Sequence, residues 1–434
     1  MTGHGIASRL RPLATLALPA LLLAPTLAPT RAAAEQSPPP AQVVVEWNQA
    51  LLDALTVANT PPPPAMRAGA IVATAVFDAV NGLTRRYLPY YVSAHGPSGA
   101  SAQAAAAGAA HKALVALFPP QQDRLDALLD ATLARLADHH EDSRAIDRGV
   151  AWGASVADAI LAFRANDGFT TPLPPYVPST AIGRWQPTPP AFLPAPAFRE
   201  FATMTPWALA SPAQFLPAAP PALTGARYTR DFDEVKTLGS ATSATRSAFD
   251  GQTAQFWQSA TPVVIWDPVA DALIARQHLG LTEAARLLAQ ENMAMADAVI
   301  AVWNAKNYYD TWRPITAIHD AALDGNPATD ADPAWQPLLV TPAFQEYPAG
   351  HPGVSQAAAA ILADRFGNRT RYTLSSPGMP GVTRTLPSFS AGVAQVIDAR
   401  VLGGIHFRFA GDVAAAMGRQ AAAYIEATQM QLRR

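Results

Sequence analysis

The 434-residue chain has no cysteine, only three lysines (Lys112, Lys236 and Lys306), and charged side chains at just 15% of positions. The absence of thiols excludes disulfides, a thiolate nucleophile and Cys-ligated metals, so stability cannot lean on an oxidising compartment. A formal net charge of −2 gives no basic excess to attract nucleic acid or an acidic membrane, and neither is expected as a partner. Strand-type alternation and internal repeats are missing as well. What the chain does have is a 50% hydrophobic composition and 41 prolines, many of them clustered. A chain this long buries a large core, as two domains or one big helical body.

Residues 1–34 read as a secretory signal: Arg9 and Arg11 precede the apolar stretch 13–27, and Ala32-Ala33-Ala34 offers small residues for cleavage. A membrane anchor is the competing reading, but Pro19 and Pro25 interrupt a stretch already short for a span. Cleavage would remove three arginines and no acid, leaving 28 basic against 33 acidic residues. The mature chain is then expected to be exported, periplasmic or secreted, with no membrane span. Residues 35–169, opening on a short tether at 35–42, carry the Ala- and Leu-rich periodicity of an N-terminal helical bundle. Residues 170–226 are proline-dense with interspersed Trp and Phe, a composition that forbids long helices and predicts a wrapping segment packed on the body. Helical signals return over 227–434. The expected fold is all-α: two helical bundles joined by a proline-rich strap, with the site in the C-terminal bundle. Such apolar bundles often pair, so a homodimer is an open expectation.

Three segments of the C-terminal part carry candidate chemistry. In the first, Leu281–Trp312 reads as one helix with Thr282 as its cap, and Trp303, Lys306, Asp310 and Arg313 fall on one face. Two turns separate Lys306 from Arg313, so both arms can close on one small anion. A solvated basic stripe is the competing reading. The scarcity of lysine and the neighbours Trp303, Tyr308, Tyr309 and Trp312 count against it. In the second, Pro348-Ala349-Gly350-His351-Pro352 runs into an Ala-rich helix at 354–366. Pro352 suits a first helical turn, Gly350 permits close backbone approach, and helix N-termini attract anions. In the third, Arg400 precedes a helix end at Gly403-Gly404, with His406 in the bend beyond. Three cations, a glycine amide and two imidazoles suit a tetrahedral oxyanion: guanidinium forks match its edges and lysine acts as a point charge.

The patterns Lys-x6-Arg-Pro, Pro-Ala-Gly-His and Arg-x5-His resemble the signature shared by vanadium-dependent haloperoxidases and type-2 phosphatidic acid phosphatases. Further stretches extend the resemblance to the bacterial vanadium haloperoxidase-like group over most of 43–427: Glu46-Trp47-Asn48, Phe77-Asp78-Ala79-Val80-Asn81, 185–190 and 233–239. The resemblance implies two four-helix bundles with the site in the second. It implies that Lys306, Arg313, Arg400 and the Gly350 amide hold the oxygens of vanadate, a site that phosphate can also occupy. His406 is then the vanadium ligand and His351 the acid–base group. Trp303 and Phe344 resemble the aromatics on the halide side. Bromide-preferring relatives often carry His at the second position, so Phe344 points towards chloride. The implied reaction oxidises halide with hydrogen peroxide to hypohalous acid, which halogenates a small organic acceptor.

Two positions depart from the pattern. Ala349 replaces the usual Ser and removes one hydroxyl donor, which Ser355 is not expected to replace. Ala410 stands where the phosphatase branch carries an Asp that orients the second His, and Asp412 is two positions late. Two alternatives therefore stay open: an exported acid phosphatase in which His406 attacks phosphorus, and a non-catalytic oxyanion-binding protein. Of the remaining polar clusters, His139-His140-Glu141-Asp142 reads as an exposed helix end before a metal site, and His319-Asp320 as a surface turn. Asp233 or Glu234 could pair with a site arginine. Trp257 and Trp266 are read as core.

Overall fold

Alanine-rich stretches with few β-branched residues form helices, and serine, aspartate and proline set where several begin. The computed structural model describes residues 1–2 and 41–433; the signal expected at 1–34 and most of the tether lie outside them. The first five helices are α1 (Gln42–Val57), α2 (Pro62–Thr84), α3 (Ala102–Leu117), α4 (Gln122–Asp138) and α5 (Ser143–Arg164). Then follow α6 (Ala226–Leu238), α7 (Ala248–Gln258), α8 (Pro262–Arg276), α9 (Leu281–Tyr309), α10 (Pro314–His319) and α11 (Gly350–Phe366). A hairpin of β1 (Tyr372–Ser375) and β2 (Thr383–Leu386) precedes α12 (Phe389–Leu402) and α13 (Arg408–Thr428). The fold is all-α, yet the hairpin corrects the expected lack of strands: four antiparallel pairs, Tyr372 opposite Leu386 at one end, with alternate residues buried.

Two almost fully buried helices, α2 and α9, pack against each other at the centre of the compact unit Pro38–Arg434. Around α2 lie α1, α3 and α5; around α9 lie α8, α11 and α13. Helix α2 is long and apolar enough to cross a bilayer, but 89% of its most apolar stretch is buried inside this protein, which accounts for its composition. Trp257 and Trp266 belong to this core, at 1% and 0% exposure.

Residues 170–226 contain one short helical turn, at Arg199–Ala202, and otherwise run as irregular chain over the helices. Buried carboxylates pin such loops: Asp297 of α9 accepts from the amides of Trp207, Ala208 and Leu209, and Asp78 of α2 from those of Tyr90, Tyr91 and Val92. Each carboxylate replaces water for three backbone donors that irregular chain leaves unpaired. Helix α9 begins without a side-chain cap; Thr282 instead donates to Thr84 at 3.2 Å. It also stops at Tyr309, three residues short of the expected end, because Asp310 turns left-handed (φ 49°, ψ 49°). The acidic cluster after α4 serves the next helix: Asp142 accepts from the Ala145 amide at 3.1 Å as the cap of α5. Among the described residues no group of three or more His, Asp or Glu is arranged to hold a metal.

Asp267 and Asp271 on α8 and Glu291 on α9 are buried with Asn48 and Asn292. Asn292 donates to Asp267 and Asn48 to Asp271, both at 3.0 Å. Burial pushes Asp267 up to about 7 and raises Asp271 and Glu291 well above the usual range, with the asparagine bonds opposing the shift on the aspartates. Folding therefore holds protons that the unfolded chain releases near pH 4, so stability from this cluster is complete in acid and falls as pH rises towards 7. Asp267→Asn should gain stability relative to wild type between about pH 4 and pH 7 in urea titrations. A difference that is constant with pH would mean the carboxylates are already ionised in the fold.

Candidate oxyanion site

Lys306 lies in the last turn of α9, fully buried, and its Nζ donates to the carbonyls of Gln345 and Glu346 at 2.6 and 3.1 Å. Because α9 ends before Arg313, that residue approaches from the connector and not from the same helix face. Pro314 keeps Arg313 extended (φ −80°, ψ 158°), as expected of a residue before proline. The Arg313 Nε donates to the Phe344 carbonyl at 2.6 Å and Nη1 to that of Ile405 at 2.8 Å. Its Nη1 is also 3.1 Å from His406 Nε2. Asp310 does not join the set; it accepts from the Tyr176 hydroxyl at 3.1 Å and the Gln345 amide at 3.3 Å.

The other segments end on helix termini. Helix α11 starts at Gly350, with Ala349 in the cap position and no side-chain cap, so its first amides are open to an anion. His351 is its second residue and lines a cavity of about 130 Å³ together with Gly350, Arg400 and His406. A Cβ on Gly350 would press on the Trp303 ring at 3.2 Å. Arg400, in the last turn of α12, donates from Nη2 to Gln258 at 2.8 Å. Gly404 then takes a positive φ of 75°, which L side chains rarely adopt, and the chain turns His406 into the site. His406 is 2% exposed; its Nδ1 lies 3.0 Å from Glu346 Oε1, which also accepts the Phe407 amide at 3.0 Å.

Lys306 and Arg313 thus face the buried carboxylate of Glu346, with the buried Arg400 close enough to act on both. Burial pushes both Arg313 and Arg400 down to about 9, which leaves them charged at neutral pH. Burial, with Arg313 and Arg400 beside it, holds Lys306 well below the lysine range. Burial raises Glu346 to about 7 against the pull of Lys306 and Arg313. His351 and His406 are pushed well down by burial first and the surrounding cations second. The guanidinium hydrogens are incompletely used: Arg313 Nη2 and Arg400 Nε and Nη1 are buried without a hydrogen-bond partner. Buried donors of this kind call for an acceptor, and a tetrahedral oxyanion supplies acceptors and negative charge together. The residues present fit vanadate or phosphate.

The wall on one side is apolar. Trp303 and Phe344 have ring centroids 5.0 Å apart, and Phe344 lies under both the Lys306 ammonium (5.1 Å) and the Arg313 guanidinium (4.7 Å). Pro63 and Met66 of α2 and Phe198 of the strap complete it, so every charged group comes from the C-terminal segment but the wall does not. The volume matches an engineered cavity of roughly 150 Å³ that holds benzene, enough for a small oxyanion and little else.

Ser355 is buried with an unpartnered Oγ and does not line the cavity on which Gly350, His351, Arg400 and His406 open. Asp412 pairs with Arg227 at 2.9 Å, not with His406. The carboxylate on His406 is Glu346, which sequence reasoning passed over; its signal was a lone acid beside the apolar Tyr347-Pro348-Ala349 run. Gln258 was also missed, and nothing in its local sequence marks it. Asp233 is exposed, and Glu234 binds Arg408 at 2.7 Å instead of a site arginine. His319 contacts the Trp335 carbonyl at 2.8 Å, away from the site.

The helical fold thus brings Arg400, His351, His406 and the start of α11 to one cavity, a candidate oxyanion site. Residues 286–434 match the family model of the VCPO second helical-bundle domain. A solved bacterial vanadium-dependent iodoperoxidase is similar at 25% identity over 91% of this chain and 98% of its own, with a TM-score of 0.79. Bacterial vanadium-dependent chloroperoxidase structures share the fold at 20% identity: the apo form over 84% and 92% of the two chains with a TM-score of 0.67, the holo form over 84% and 91% with 0.64. No curated protein matches the chain. The match over residues 286–434 and the shared fold make the chain similar to the vanadium-dependent haloperoxidases.

Arg400→Ala removes two unpartnered donor atoms and one charge. It should weaken phosphate or orthovanadate binding roughly ten- to hundredfold, the worth of one charge-assisted hydrogen bond, as measured by titration calorimetry. Unchanged affinity in a folded variant would take Arg400 out of the site.

Proposed function

We propose that the protein is a vanadium-dependent haloperoxidase that uses hydrogen peroxide to oxidise halide to hypohalous acid. The observation that carries this reading is the set of unpartnered guanidinium donors on Arg313, 3.1 Å from the Nε2 of His406, and on Arg400, which lines the same cavity as His406. Lys306, Arg313, Arg400 and the Gly350 amide would hold the vanadate oxygens, and His406 would be the protein ligand to the metal. Bound vanadate supplies a Lewis acid that activates peroxide towards halide without changing oxidation state. His351, kept neutral by burial and by its cationic neighbours, takes up the peroxide proton at a ring nitrogen and returns it later. Trp303 and Phe344 exclude water from the halide side. The small volume leaves no room for a bulky acceptor, so the organic partner is halogenated at or beyond the mouth. Export follows from the signal-like run at 1–34.

One observation favours a second reading. The His406–Glu346 pair provides the carboxylate–histidine arrangement that Ala410 withholds, and such a pair supports covalent attack by His406 on a phosphoester. Acid phosphatase activity is therefore the alternative. One preparation decides between them. Loaded with orthovanadate and given peroxide with chloride, bromide or iodide, the protein should halogenate monochlorodimedone or form triiodide. Halide-independent cleavage of para-nitrophenyl phosphate, inhibited by vanadate and without halogenation, would overturn the peroxidase reading.

A further inference from the structure

Glu346 is 1% exposed, and its Oε1 sits 3.0 Å from both the Phe407 amide and His406 Nδ1. An amide can only donate, so this oxygen acts as an acceptor. Across the ring, Arg313 Nη1 lies 3.1 Å from Nε2, and a guanidinium can only donate. Both contacts require the same form of the imidazole: hydrogen on Nδ1, lone pair on Nε2. The backbone carbonyl of Glu346 meanwhile accepts from Lys306 at 3.1 Å. One residue thereby ties the lysine of the first segment to the histidine of the third.

We propose that Glu346 is the positioning residue for His406, fixing its orientation and its Nδ1–H tautomer so that Nε2 is presented bare to the oxyanion. The consequence for binding rests on the oxyanion reading above; the tautomer does not. Acceptors on the far nitrogen of a metal-bound imidazole typically contribute ten- to hundredfold to affinity, and here the acceptor also anchors the first turn of α13 through Phe407.

The test uses the full chain with selectively 15N-labelled histidine, the His406 signals being assigned by their loss in His406→Gln. Two-bond proton–nitrogen spectra should give Nδ1 protonated and Nε2 bare in the wild type. Glu346→Gln keeps a carbonyl acceptor and should keep that tautomer and bind orthovanadate like wild type. Glu346→Leu should lose the fixed tautomer and bind orthovanadate about ten- to hundredfold more weakly by calorimetry, without peroxide or halide present. A wild-type ring protonated on Nε2 overturns the proposal, as does a folded Glu346→Leu with unaltered affinity. If wild type binds no orthovanadate, the enzyme reading fails while the tautomer still decides Glu346, including when the leucine variant does not fold.

Discussion

Three basic side chains buried around His406 are the constraint on which this structure turns. Removing each from water costs several kcal/mol as a charged group, and the buried carboxylate of Glu346 faces two of them, Lys306 and Arg313. The lowered proton affinities of all three, caused first by burial, record that cost. A dianion in the cavity would reverse the sign of the electrostatics, converting mutual repulsion into shared attraction and giving the idle guanidinium donors their acceptors.

The scaffold achieves the convergence with helix ends. Lys306 and Arg400 leave the last turns of α9 and α12, His406 stands just before α13, and Gly350 opens α11. Helix ends suit the purpose because their backbone groups are unpaired and their positions are set by the packed body of the helix behind them. The N-terminus of α11 adds its partial positive charge to the same pocket. The strap adds Phe198 to the cavity wall and is tied down beside it. Trp185 and Trp312 bond to the carbonyls of Asp310 and Gly183, holding irregular chain over the end of α9, while Ala197 bonds to Ala343 beside Phe344.

The helices were legible because Ala- and Leu-rich periodicity and proline punctuation are local signals, and proline density accounts in the same way for the largely irregular chain at 170–226. The hairpin at 372–386 was not: two strands of four residues are too short for alternation to stand above chance. The end of α9 was misplaced because its stop is the left-handed turn at Asp310, a conformation that no glycine advertises there. Within the candidate site, spacing could single out only residues whose type carries charge or proton chemistry. The partners of those residues could not. Glu346 reaches His406 across 60 positions and Gln258 reaches Arg400 across 142, and such pairings exist only once the chain is folded. The same holds for the cavity wall, where α2 and the strap meet a site whose chemistry is encoded hundreds of residues later.

The most direct measurement is a crystal structure of the protein soaked with orthovanadate. The account predicts vanadium bonded to His406 Nε2, with its oxygens contacted by Lys306, Arg313, Arg400 and the Gly350 amide. Vanadate bound elsewhere, or an anion in this cavity that leaves His406 uncoordinated and the two guanidiniums unengaged, would contradict it.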